Sequence, residues 1–221
     1  MAGPNPVRLA IIDSGVHLQH PHIGRIAGGI TITPHSTTPD FTDRIGHGTA
    51  VTAAIQEKAP DAEIYAVRIF VETLRTTTDT LLRAIDWCIQ EKMNLINLSL
   101  GSLNETYLDR YRETVARANA ANVVLVAAVE AQGKPCYPGC LEGVMGVNLD
   151  WECGRDSYWT GGGIYYASGY PRPIPGVAPP RNLNGISFAV ANITGLAARA
   201  WPERLSARPP SPHPSASSDP A

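Results

Sequence analysis

A chain of 221 residues is long enough to bury a sizeable core in one α/β domain. Its 18 Lys and Arg against 20 Asp and Glu leave a formal net charge of -2, so no basic excess steers it to nucleic acid or an anionic membrane. No apolar run reaches the roughly 20 residues of a transmembrane helix, and the hexamer at 7–12 is too short for a signal-peptide core, so the expected location is the cytoplasm.

In chain order, residues 7–12 form a short run rich in β-branched side chains that stops at Asp13-Ser14-Gly15, the pattern of a buried strand followed by a turn. Residues 62–70, 95–100, 123–128 and 143–148 repeat it. Between them the apolar spacing is helical: over 49–58, over 80–93 with Leu81, Ile85, Cys88 and Ile89 on one face, and over 107–121 with Leu108, Tyr111, Val115 and Ala118 in one stripe. A Gly- and Pro-rich stretch, 154–184, reads as a long loop of the kind that carries function and leads directly to Ser187. The last helix is predicted from about Ser187 to Trp201, with Pro202 ending it. Alternating strands and helices predict an α/β fold with a doubly wound, mostly parallel sheet and helices on both faces. One domain is expected over 1–205, and the Pro/Ser/Ala-rich segment 206–221 is expected to be a disordered tail.

The four cysteines are Cys88, Cys136, Cys140 and Cys153. Cys88 fits a helix interior as a small buried apolar residue. Cys136 and Cys140 have the spacing to close a small disulfide loop, and Cys153 would make a third thiolate. Reduced thiols are the expected state, with the local disulfide and a metal site as alternatives; no fourth zinc ligand stands nearby.

Three islands carry the chemistry: Asp13-Ser14-Gly15, His47-Gly48-Thr49 and Gly185-Ile186-Ser187-Phe188-Ala189. Each sits where a strand ends or a helix begins, and in a parallel sheet such junctions converge at the carboxyl edge. A serine hydroxyl becomes a nucleophile when a histidine takes its proton, and the histidine needs a carboxylate to fix its tautomer and stabilise its charged form. A serine at a helix N-terminus also has a free backbone N–H to aim at a developing oxyanion.

The islands, with Ile96-Asn97-Leu98-Ser99-Leu100-Gly101, resemble the subtilisin-like serine peptidases over about residues 7–200. The resemblance implies a subtilisin-like fold, Ser187 as nucleophile, His47 as general base and then acid, and Asp13 as its orienting carboxylate. It also implies that a peptide adds as a strand beside Leu98, Ser99, Leu100 and Gly101, with Ala127, Ala128 and Val129 on the other side of the first specificity pocket. Val129 stands where family members usually have Gly, and its bulk is expected to narrow that pocket. No cofactor is required for acyl transfer at a serine. The loop carboxylates and carbonyls of the family's calcium sites do not match residue by residue, so calcium is unassigned.

One departure concerns the second oxyanion donor. Family members follow the strand matching 123–128 with Gly-Asn, whereas this chain reads Val129-Glu130-Ala131-Gln132-Gly133. Counting from the strand puts Glu130 at the Asn position, and counting back from Gly133 puts Ala131 there. A carboxylate has no donor, while the Gln132 amide has one. A second departure is that the first strand starts close to Met1, where many members carry a pro-segment. Unaided folding, a folding or regulatory partner in its place, or origin as a domain excised from a longer protein is therefore expected.

The leading expectation is a serine endopeptidase with narrow choice among peptide or precursor-peptide substrates. The alternatives are a catalytically weak or inactive relative that binds a peptide or partner protein, and an esterase or acyl transferase using the same three residues.

Overall fold

The computed structural model describes residues 6–201, so the expected tail over 206–221 lies outside the described residues. The apolar runs form β1 (Arg8–Asp13), β4 (Glu63–Arg68), β5 (Leu95–Leu98), β6 (Val124–Ala128) and β9 (Met145–Leu149). The helical patterns form α1 (His47–Lys58), α2 (Thr78–Gln90), α3 (Leu108–Ala120) and α4 (Ile186–Arg199). Thr77 caps α2 by accepting the N–H of Thr80 at 3.2 Å, which supplies one of the acceptors a helix start lacks.

Two further strands, β2 (Gly28–Ile32) and β3 (Thr37–Thr38), and the hairpin of β10 (Tyr158–Gly161) and β11 (Ile164–Ala167) complete a nine-stranded sheet. Its order is β10-β11-β9-β6-β5-β1-β4-β2-β3, with antiparallel pairing confined to the outermost strand at each edge. The doubly wound, mostly parallel architecture expected from the alternation is present.

Strand periodicity sorts the core into two layers. Leu9 and Ile11 of β1 pack with Val51 and Ile55 of α1 and Phe188 and Ile193 of α4. Ala10 and Ile12 face the other way, onto Leu81 and Ile85 of α2 and Tyr111 and Val115 of α3. Burial of β1 on both faces explains its unbroken apolar sequence.

The stretch 154–184, expected as a loop, holds the β10–β11 hairpin in its first half. Aromatic residues flank a Gly162-Gly163 turn with φ of 58° and 82°, the conformation of a tight two-residue hairpin, and the Trp159 and Tyr166 rings stack at 3.9 Å. The abundance of Gly and Pro obscured this signal. Residues 168–185 follow the expectation of irregular backbone, apart from a short 3-10 turn at Pro179–Arg181.

Candidate active site

The carboxyl end of β1 delivers Asp13, fully buried, to the edge of the sheet. Its Oδ1 accepts the backbone N–H of Ser14 at 2.7 Å, which fixes the carboxylate plane. The following turn is laced to the start of α1: Ser14 Oγ accepts the N–H of Gly48 at 2.8 Å, and Thr49 Oγ1 accepts that of His17 at 3.0 Å. A Cβ on Gly48 would come within 2.3 Å of the Gly15 carbonyl oxygen, so only glycine permits this approach of backbone to backbone.

His47 is thereby held against Asp13, with Nδ1 at 2.8 Å from Oδ1 and 3.0 Å from Oδ2. An ionised carboxylate only accepts, so Nδ1 donates and the neutral ring leaves its Nε2 lone pair free. Burial of the ring opposes protonation, but the hydrogen bond and charge of Asp13, with the charge of Asp43 behind them, raise His47 above its ordinary pKa of 6.5.

Asp43 was not singled out by the sequence reading. Gly46 caps α1 without a side chain, and the nearby N–H groups instead donate to Asp43: Ile45 and Gly46 to Oδ1, Thr49 to Oδ2, each at 2.9 Å. The Thr49 hydroxyl adds a fourth bond at 2.6 Å. Burial would raise the carboxyl pKa, but these donors outweigh it and hold Asp43 below the usual carboxylate value of 3.8. The clue in sequence was an Asp just ahead of a helix start whose cap is glycine.

Ser187 is the second residue of α4, presented by Gly185 at φ 133° and ψ -173°, backbone open in practice to glycine alone. Its hydroxyl donates to the carbonyl oxygen of Ser99 at 3.1 Å, and Ser99 Oγ donates to the carbonyl of Ser187 at 3.0 Å. Phe188 places its ring 6.0 Å from the His47 imidazole. The structure thus brings Asp13 and His47 into contact and sets Phe188, the neighbour of Ser187, near the His47 ring, while the Ser187 hydroxyl is on Ser99. Behind Ser99 runs a buried chain: Thr194 donates to Asn97 Oδ1 at 2.9 Å and Asn97 Nδ2 donates to Ser99 Oγ at 2.9 Å.

The model of the subtilase family matches residues 5–168, most of the chain. The chain belongs to the subtilase family. It is 32% identical over 214 aligned residues to the thermostable alkaline protease of Halalkalibacterium halodurans, covering 88% of this chain and 56% of that protein. The chain thus spans about half the length of that relative. Two solved structures share the fold. A lanthipeptide protease superposes with a TM-score of 0.70 at 21% identity, over 92% of this chain and 76% of the other. The prenylagaramide maturation protease PagA gives 0.66 at 26% identity, over 90% and 76%.

The segment after β6 carries the departure from the resemblance noted at residues 129–133. Val129 donates its N–H to Val147 and accepts that of Cys136, both at 2.9 Å, and a Cβ on Gly146 would meet its Cγ1 at 2.4 Å. Residues 130–135 form the hairpin of β7 (Glu130–Ala131) and β8 (Lys134–Pro135), turned at Gln132 and Gly133 with φ of 56° and 70°. Glu130 and Gln132 are both exposed there. Ala127 and Ala128 are buried in β6, and Gly139 packs so closely on Ala128 that a Cβ would lie 1.9 Å from its carbonyl oxygen. Leu98 closes β5, while Leu100 and Gly101 beyond it make no backbone hydrogen bond among the described residues.

All four cysteines are free thiols. Cys136 sits where a Cβ on Gly101 would meet its Sγ at 2.2 Å, and burial, with a smaller contribution from Cys140, pushes its thiol up to about 11. Among the described residues, no group of three or more His, Cys, Asp or Glu is placed to hold a metal ion, and no helix is long and apolar enough to cross a membrane.

Proposed function

We propose that the chain is a serine endopeptidase that hydrolyses peptide bonds through an acyl-enzyme on Ser187, with narrow choice among peptide or precursor-peptide substrates. The observation that carries the reading is the Asp13–His47 pair, with His47 Nδ1 committed to the carboxylate and the start of α4, which carries Ser187, approaching it through the Phe188 ring at 6.0 Å. The names of the two structural neighbours, a lanthipeptide protease and a maturation protease, support precursor peptides as the substrate class.

In the proposed reaction, rotation about χ1 moves the Ser187 hydroxyl from Ser99 to His47. As Oγ bonds to the substrate carbonyl carbon, its proton passes to Nε2, and Asp13 stabilises the resulting imidazolium. The Ser187 N–H, at the second position of α4 and so without an intrahelical acceptor, faces the oxyanion. His47 then returns the proton to the leaving nitrogen as the C–N bond breaks. A water, deprotonated by His47, cleaves the ester and restores the serine. Every proton is carried by a side chain of this chain, and no cofactor enters a step. The free backbone of Leu100 and Gly101 supports strand addition of the acyl half of the peptide, with Leu98, Ser99, Ala127, Ala128 and Val129 around it. Glu130 and Gln132 belong to the proposed oxyanion region.

A second reading, a weak or inert relative that retains the cleft to bind a peptide, draws support from the exposed 130–135 hairpin and from the Ser187 hydroxyl resting on Ser99. A fluorophosphonate probe separates the two. The parent is expected to be labelled at Ser187 and Ser187→Ala to remain unlabelled. No labelling of the parent would overturn the enzyme reading, and labelling without cleavage of any peptide would favour acyl transfer.

A further inference from the structure

Between the first turns of α1, the turn after Asp13 and the segment leading to Ser187 lies a cavity of about 440 Å³. Of the three islands only that of His47 lines it, through Thr49, with Gly46 directly preceding His47; His17 lies four residues after Asp13 and Leu183 four residues ahead of Ser187. Ser99, Leu100 and Gly101 do not line it. Its lining comes from residues around His47 and ahead of Ser187 and not from the segment after β5 assigned to the acyl half of a peptide, which is the ground for placing it on the side of the leaving amine.

The chemistry of the cavity is one-sided. Ile174 and Leu183 give it an apolar mouth, 41% and 49% exposed, and its polar lining consists largely of His17, His20, His22, Arg44 and Arg172. Its carboxylate, Asp43, is already engaged by Ile45, Gly46 and Thr49. His20 Nδ1 accepts the backbone N–H of His22 at 3.2 Å, so a neutral His20 carries its proton on Nε2 and offers a donor. Arg172 donates to the His22 carbonyl oxygen at 3.1 Å and lies 4.0 Å from Glu57, a carboxylate it shares with Arg155 and Lys58. Burial first, then the charge of Arg172 and the neighbouring His20, hold His22 below its ordinary pKa, with Glu57 opposing. The wall is anchored, because Asn192 Nδ2 donates to the carbonyls of Ser168 and Tyr170 just ahead of Pro171. Donors in excess of acceptors around an apolar mouth suit a side chain or terminus that only accepts.

We infer that this cavity is a leaving-side subsite that selects a residue bearing a carboxylate. The direction of the peptide rests on the peptidase reading, whereas the charge preference of the cavity does not. Two sources share the chemistry: an Asp or Glu side chain after the cleaved bond, and the C-terminal carboxylate of a substrate that ends there.

The test uses the Ser187→Ala chain and three fluorescein-labelled hexapeptide pools. The pools are randomised over the first four positions and end in Ala-Glu-amide, Ala-Gln-amide, or Ala-Gln with a free carboxylate. A pool with a carboxylate is expected to bind about tenfold more tightly than Ala-Gln-amide, the size of one charge-assisted hydrogen bond. Arg172→Gln on the same background should erase the difference, and Arg172→Lys should keep most of it. The Glu-amide pool binding best assigns a side-chain carboxylate, and the free-acid pool binding best assigns a terminal one. Equal binding by all pools, no binding, or a preference that survives Arg172→Gln overturns the inference. Turnover by the parent chain is read separately. Acid-selective binding without turnover removes the peptidase reading and leaves the subsite, and turnover without selectivity does the reverse.

Discussion

Ser99 and Ser187 hold each other by two reciprocal hydrogen bonds, side chain to main chain in both directions, at 3.0 and 3.1 Å. One of them must break before Ser187 can act, since its hydroxyl cannot serve Ser99 and His47 together. The other fixes the Ser187 carbonyl and with it the first turn of α4. Ser99→Ala removes that second bond and leaves the buried Asn97 amide without its acceptor. A loss of about 1–3 kcal/mol is expected, read as a lower urea midpoint with the slope unchanged. Fluorophosphonate labelling should slow while remaining at Ser187. Unchanged stability would mean that the Thr194–Asn97–Ser99 chain does not support the serine.

The Asp13 carboxylate raises the His47 pKa against the effect of burial, and this sets the pH profile of the proposed reaction. Labelling requires neutral His47, so its rate should climb with pH through a midpoint above 6.5. Asp13→Asn should move that midpoint down and slow labelling on the order of 10⁴-fold, as loss of this carboxylate does in serine peptidases built on the same three residues. The linked stability runs the other way. A raised folded-state pKa contributes stability that is full below 6.5 and lost as pH rises through the folded value. The gap in melting temperature between parent and variant should therefore shrink from pH 6 to pH 9. A midpoint that stays in place in Asp13→Asn would remove Asp13 as the cause.

Asp43 gathers three backbone N–H groups and the Thr49 hydroxyl where α1 has no capping side chain. Asp43→Ala strands these donors on both sides of His47, at Ile45, Gly46 and Thr49, and should cost about 2–4 kcal/mol. Asp43→Asn keeps an acceptor for Ile45 and Gly46 but none for Thr49, and should cost about half as much. Because the folded-state pKa is depressed, the Asp43 contribution is present above 3.8 and lost as pH falls through the folded value. Denaturant melts at pH 7 and pH 3 check both statements, and an Asp43→Ala chain as stable as the parent at pH 7 would refute them.

The islands at Asp13, His47 and Ser187 were legible because each couples a reactive side chain to a neighbour that the backbone requires, such as Gly48 under the β1 turn or Gly185 ahead of α4. The parallel sheet was legible because β1 and β6 are buried on both faces and read as apolar over 9–12 and 124–128, and β5 does so but for Asn97. Asp43, Asn97 and Thr194 were not, since their roles depend on partners brought together only by the fold: an empty cap, a serine across the cleft, a helix laid on the sheet. The β10–β11 hairpin was hidden inside a region whose Gly and Pro content suggested a loop. The short β2 was missed because Gly28 and Gly29 break the apolar pattern, a Cβ on Gly29 lying 2.5 Å from the Ala66 carbonyl oxygen, and β3 because it is only two exposed threonines.

The hairpin after β6 sets the last prediction. In the proposed mechanism the Ser187 N–H is one oxyanion donor, and the family pattern places a second, an Asn side chain, near Glu130. An ionised Glu there offers no hydrogen and repels the developing charge, so Glu130→Asn should accelerate both labelling and peptide cleavage near neutral pH. The upper bound is the value of one oxyanion-hole donor, on the order of 10²- to 10³-fold. A smaller gain is expected because Glu130 lies on an exposed hairpin, where the new amide is held by a short β7–β8 pairing and not by a packed core. Gln132→Ala distinguishes the two candidates in this region: it should leave the parent rate unchanged if Glu130 occupies the position, and lower it if the Gln132 amide already serves. If neither substitution moves the rate, the second donor is not in residues 130–132, and the 130–135 hairpin has a role separate from the oxyanion.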